Sequence, residues 1–348
     1  MPIISFMPYY PDEKVDRTAA NFHLWNWWGY REKRVPDAAI RIYLDKYFGL
    51  YRRADGGVER RIAVLSPHNL CFFREEEQFT GQQINRFANA LMTSHLFEPV
   101  EKNGGRAICP SDNFAALCQG FSPGDTDSPI SFLFGSYVRT IVTGSWDQLL
   151  FATPQSVTDL GPCRPEETIL SHLATLCPET SATINRLFRS FEWVRLGFAN
   201  YEGLEAPQRI IAMATAFEAL LGFPEQDKSR FFAATVNRYI PPNSLPTTSL
   251  LWGHGHTSGV TENAVGWWCR EFYSLRNRIV RGDEIGETDL RNARGEEHIR
   301  IALSLFEECI WGILVELGKL REEERAPHFF SRSHWRTQLG LPNDLWYP

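Results

Sequence analysis

From Ile299 to Leu320 the chain keeps apolar residues at spacings of three and four through three heptads: Ile299, Leu303, Phe306, Ile310, Ile313, Leu317 and Leu320. Only an α-helix returns to one face with that period, so the pattern predicts a helix over about 296–320 with a long apolar stripe. Such a stripe has to be covered, either as the core of a helical bundle or as a seam against a second copy. The same spacing in Ile184, Leu187, Phe191, Val194 and Phe198 predicts a helix over about 181–198. In Val265, Trp268, Phe272, Leu275 and Ile279 it predicts another over about 263–280. Between these, QRIIAMATAFEALLG is apolar on nearly every side, which suits a central helix over about 208–221 ended by Gly222 and Pro224. The run DKSRFFAATVNRYI predicts a further helix stopped by Pro241–Pro242, and 242–262 reads as loop.

The first half has a different grain. PDAAIRIYLDKYFGLYRR reads as a helix with Pro36 near its first turn and Gly49 near its end. Thr80 is placed to cap a helix over 81–96, whose Ile84, Phe87, Leu91 and Leu96 share one stripe. RIAVLSPHNLCFF and residues 129–152 carry the β-branched and aromatic content of strands. The fold expected is therefore α+β: a mixed α/β domain over 1–165, an all-α helical bundle over 166–325, and a tail over 326–348.

Charge and cysteine content narrow the function classes. The formal charge is −6, so the whole chain lacks the strongly basic footprint of a nucleic-acid-binding domain, although 30 of the 36 basic residues are arginine, the side chain suited to bidentate phosphate contacts. Seven widely spaced cysteines with no CxxC suit reduced thiols, and no window approaches about 18 continuous apolar residues. The N-terminus has no basic region before its apolar patch, so it is a poor signal peptide and a cytoplasmic location is expected. No phosphate loop, dinucleotide fingerprint or nucleophile elbow is present, and no cofactor is expected. Trp25, Trp27 and Trp28 are open to two readings, core packing or stacking on bases.

Two places can carry chemistry. Glu218 stands between Phe217 and Ala219 in the most apolar helix, where a carboxylate needs a hydrogen bond, an ion partner or a proton, and an arginine from a neighbouring helix is the expected partner. Arg276, Asn277, Arg278 and Arg281 cluster at the end of another helix, before Gly282. Arg276 and Arg281 are about 140° apart around the helix, close enough to edge one groove and meet a phosphate backbone.

The run FYSLRNRIVRG, 272–282, resembles the signature of the HEPN superfamily, all-helical domains found in toxins and in antiviral or phage-defence proteins. Arg276 and Asn277 fall on the first two positions of the family's Arg-Asn-x-x-x-His, Arg281 stands where the histidine belongs, and Glu218 falls on the family's helical glutamate. The resemblance covers about 181–320 and implies a homodimer that binds RNA and cleaves it without metal, with Arg276, Asn277, Arg281 and Glu218 at the site and Arg276, Arg278 and Arg281 on the RNA. An arginine keeps its proton and is a poor general base, so either the helical domain only binds or dimerises, or His254 or His256 supplies the imidazole from the preceding loop. Two histidines alone do not make a metal site, and none is expected.

Overall fold

Strand β3 (Phe22–Asn26) is buried at every position, so it must be covered on both faces. In the computed structural model it lies inside an antiparallel sheet of order β2-β3-β5-β1-β8, with β1 (Ile3–Met7), β2 (Asp16–Ala19), β4 (Tyr51–Arg52), β5 (Ala63–Pro67), β6 (Val100–Lys102), β7 (Gly105–Ala107) and β8 (Leu117–Gly120) numbered along the chain. The structure describes residues 3–67, 80–97, 100–102, 105–107, 109–120, 130–134, 137–141, 150–157, 164–200, 204–240, 264–292 and 295–324. The register places Phe6, Val64 and Trp25 in one row across the sheet. Side chains alternate faces along a strand, so Trp25 and Phe22 point opposite ways. On the Trp25 side lie α1 (Trp27–Arg34) and α2 (Ala38–Phe48), where Phe48 meets both Phe6 and Trp27 at 5.0 Å between ring centres. On the other side α3 (Gly81–Leu96) stacks Phe87 on Phe22 at 4.3 Å.

Local chemistry sets the element ends. Asn26 stops β3 and starts α1: its Oδ1 accepts from Gly29 N–H and its Nδ2 donates to the Arg60 carbonyl at 2.7 Å. Asp37 caps α2, and Thr80 and Gln83 form the reciprocal capping box of α3. Trp25 and Trp27 are fully buried and belong to the core, whereas Trp28 is partly exposed beside the guanidinium groups of Arg31 and Arg60. Glu59 is buried completely and takes a two-pronged bond from Arg61, Nε at 2.9 Å and Nη2 at 2.8 Å. Two hairpins, β6–β7 and β9 (Ile130–Phe134)–β10 (Tyr137–Ile141), and the parallel pair of β11 (Phe151–Ala152) with β4 complete the strands.

Helix α4 (Glu167–Leu176) packs on α3 and β2, tied by Arg17–Glu167 at 3.0 Å. It therefore belongs to the first compact unit, Met1–Glu179 with Ala199–Glu202, and the helical unit begins at Thr180, not at 166. That second unit holds α5 (Ala182–Gly197), α6 (Ala206–Leu221), α7 (Lys228–Tyr239), α8 (Ala264–Arg281) and α9 (His298–Glu316). The chain is thus a mixed α/β region followed by an all-α bundle. The tail over 326–348 lies outside the described residues.

In the bundle α6 packs against α5, α8 and α9, and α7 against α8 and α9. Phe217 of α6 gathers Phe232, Phe272 and Phe306 from the other helices, with Phe232 at 4.8 Å and Phe306 at 5.3 Å. Ser181 caps α5, and Gly222 ends α6 in the left-handed conformation, φ 66°. Helix α9 is buried over most of its circumference, including Trp311, Cys309 and Leu314 off the expected stripe, and it stops at Glu316, four residues before the apolar pattern runs out. Its Gly312 lies against the Tyr239 ring of α7, an approach that leaves no room for a side chain.

Candidate functional site

Glu218 lies on the α6 face turned to α7 and α8, with about a fifth of its side chain exposed. Its Oε1 accepts from the Tyr273 hydroxyl at 2.7 Å and lies 3.4 Å from Arg276 Nη2, and its Oε2 is 3.7 Å from Lys228 Nζ. The arginine partner expected for this carboxylate is therefore Arg276, and a tyrosine and a lysine share it. Burial, and after it the Glu218 carboxylate, hold the Tyr273 hydroxyl protonated well above the usual phenol range. Tyr273 acts on Glu218 as a fixed donor. The Arg276 guanidinium also leans over the Tyr273 ring, 5.7 Å from its centre, and donates from Nη1 to Asn277 Oδ1 at 3.2 Å. Its Nε is buried and has no partner among the described residues. A buried donor without a partner costs about 1–3 kcal/mol, and such groups call for a reason in the work the side chain does.

Above this cluster opens a basin of about 530 Å³, within the range of small-ligand sites. Three segments line it: Glu225 and Asp227 from the α6–α7 turn, Lys228, Ser229 and Arg230 from the first turn of α7, and Arg270, Tyr273, Arg276 and Asn277 from α8. Among the described residues four cations face two carboxylates, a formal excess of two positive charges, and Glu218 beneath the lining offsets one. Arg230 has no ion pair with any described residue, and Asp227, at the N-cap of α7 with φ 51°, makes no side-chain capping bond. Among the described residues no side chain caps the first N–H groups of α7.

The residues expected at the site do not all meet here. Glu218, Arg276 and Asn277 come together. Arg278 instead pairs with Asp289 at 2.7 Å. Arg281 is two-thirds exposed, pairs with Asp283 at 3.1 Å, and is not part of the basin lining. The five-residue step from Arg276 to Arg281 carries the second guanidinium to the helix end, where Asp283 after Gly282 takes it up. His254 and His256 lie outside the described residues. Among the described residues no cluster of histidine, cysteine and carboxylate side chains is arranged to hold a metal ion. Lys228, Arg230, Arg270 and Tyr273 are members that sequence reasoning missed. Arg270, Tyr273 and Asn277 recur at three and four, so a polar stripe beside the apolar one on α8 was readable.

No family model, no curated protein and no solved structure matches the chain. The labels attached to the resemblance, namely HEPN domain, RNA-binding, endoribonuclease, antiviral defence, toxin-like and homodimer, therefore gain no support from any relative and are corrected to the two-unit description above. Among the described residues no helix is long and apolar enough to cross a membrane.

Proposed function

We propose that the helical unit is a binding module for a phosphate-bearing ligand, seated in the basin of α7 and α8. The observation that carries this reading is the convergence of Lys228, Arg230, Arg270 and Arg276 on one basin, from two helices, with a single carboxylate beneath them. Guanidinium forks and uncapped helical N–H groups are the protein groups best matched to phosphate oxygens. Glu218 has a supporting part. It holds Arg276 and Lys228 in place through one carboxylate that Tyr273 keeps oriented.

The test is calorimetric titration of the whole chain with inorganic phosphate and pyrophosphate at low ionic strength. Binding is expected, tighter for pyrophosphate, and Arg230→Gln and Arg276→Gln should each weaken it about tenfold, the worth of one charge-assisted hydrogen bond. Arg230 is exposed and unpaired among the described residues, so its variant changes charge without disturbing packing. Absence of binding, or equal binding by both variants, would refute the proposal.

A further inference from the structure

The walls of the basin differ in charge. The α8 wall offers Arg270, Arg276 and Asn277, while the α6–α7 turn offers Glu225 and Asp227. These two carboxylates share the basin with four cations, yet neither makes an ion pair or side-chain hydrogen bond with a described residue. Asp227 stands at a helix N-cap, where an aspartate ordinarily spends its carboxylate on the N–H groups of the first turn, and here it does not. The two carboxylates of the turn thus share the basin with cations of both α7 and α8, and keep acceptor capacity that no described residue uses. A ligand that satisfies both sides has an anionic end and an end rich in hydroxyl donors. A polyanion running across the basin would set its charge against Glu225 and Asp227. Among the described residues the one aromatic in the lining, Tyr273, is buried and offers no ring face for a base to stack on.

Resting on the phosphate-binding reading, we propose that the ligand is a small polyhydroxylated phosphate monoester. Its phosphate meets Arg270, Arg276 and Lys228, and its hydroxyls donate to Glu225 and Asp227. A vicinal diol placed against a carboxylate makes two bonds that an alkyl phosphate cannot, and the volume of about 530 Å³ accommodates a ligand of that size. The same chemistry comes from a free sugar phosphate or from the ribose phosphate end of a mononucleotide.

The experiment titrates the full chain with inorganic phosphate, methyl phosphate, ribose 5-phosphate, AMP and a short oligoribonucleotide, and repeats the series on the Glu225→Gln/Asp227→Asn double variant. Both positions are exposed, so the variant should fold, which circular dichroism checks. Ribose 5-phosphate is expected to bind at least about tenfold tighter than methyl phosphate, the worth of one or two hydrogen bonds to charged acceptors. In the double variant that advantage should disappear while methyl phosphate binds somewhat tighter, because two negative charges have left the basin. AMP equal to ribose 5-phosphate would identify a sugar phosphate as the source, and AMP tighter by tenfold would identify a nucleotide. Either result supports the shared chemistry. Equal binding of methyl phosphate and ribose 5-phosphate would overturn this inference and leave the phosphate site standing. So would an oligoribonucleotide that binds tightest and with the steepest salt dependence. No binding of inorganic phosphate or any monoester would overturn both.

Discussion

His298, the first residue of α9, makes the helical unit sensitive to mild acid. Its side chain is 1% exposed, and its Nδ1 accepts from the Trp268 indole N–H at 3.0 Å. An indole nitrogen only donates, so Nδ1 must be the unprotonated nitrogen, and the ring proton sits on Nε2, 4.0 Å from Glu271 Oε1. Adding a second proton would set two donors against each other and bury a charge. Burial lowers the imidazole from its usual 6.5 to about 4. The folded-state value lies below the unfolded one, so the unfolded chain takes up the proton first as pH falls. The stabilisation is complete above about pH 6.5 and is lost progressively down to about pH 4. The gap of roughly 2.5 units corresponds to about 3 kcal/mol in full, of which about 2 kcal/mol is lost by about pH 5. Urea denaturation of the whole chain at about pH 7.5 and about pH 5, with hydrogen exchange of α9 peptides to assign the loss to the helical unit, measures it. His298→Asn keeps an acceptor near the indole and cannot titrate. Taking wild type minus variant cancels the other groups, and this difference should shrink by about 2 kcal/mol on acidification. Parallel pH profiles for the two proteins would refute the reasoning.

Three other perturbations test the packing and the site. Gly312→Ala should destabilise by about 1–3 kcal/mol even though alanine is the better helix former, because the new Cβ would lie 2.8 Å from Tyr239 Cγ in a ring tied to Glu316; a raised melting temperature would count against it. Glu59→Ala should cost about 3–5 kcal/mol by stranding the buried Arg61 guanidinium, and unchanged denaturant midpoints would show that the pair is dispensable. Glu218→Gln should cost about 1–2 kcal/mol, since the Tyr273 hydroxyl keeps an acceptor while Arg276 and Lys228 lose a counter-charge. In a double-mutant cycle with Tyr273→Phe the two effects should be coupled, and strict additivity would mean that the hydroxyl does not orient the carboxylate.

What the sequence determined by itself is what short range controls. Thr80 with Gln83, Ser181 before Ile184, Pro207 inside the first turn of α6 and Gly222 after its last each satisfy or release backbone groups within a few residues, so helix ends were readable before any fold was known. The apolar stripes announced a helical bundle by the same local logic. Tertiary structure decided what those faces meet. Helix α4 continues the helical run of the chain, yet its apolar face docks on α3 and β2, because periodicity specifies that a face is buried and not against which partner. The full burial of Trp25 and Trp27 likewise depends on α2 folding over the sheet, which resolves their two open readings as core. At the site, the Glu218 setting called for an arginine, and only the packing of α6, α7 and α8 selected Arg276 and added Lys228 and Tyr273. Arg276 and Arg281 were equivalent as sequence neighbours. One projects over a half-buried carboxylate and the other passes the end of α8 into solvent beside Asp283, because a helix fixes the angle between two side chains while the neighbouring helices fix where the protein interior ends.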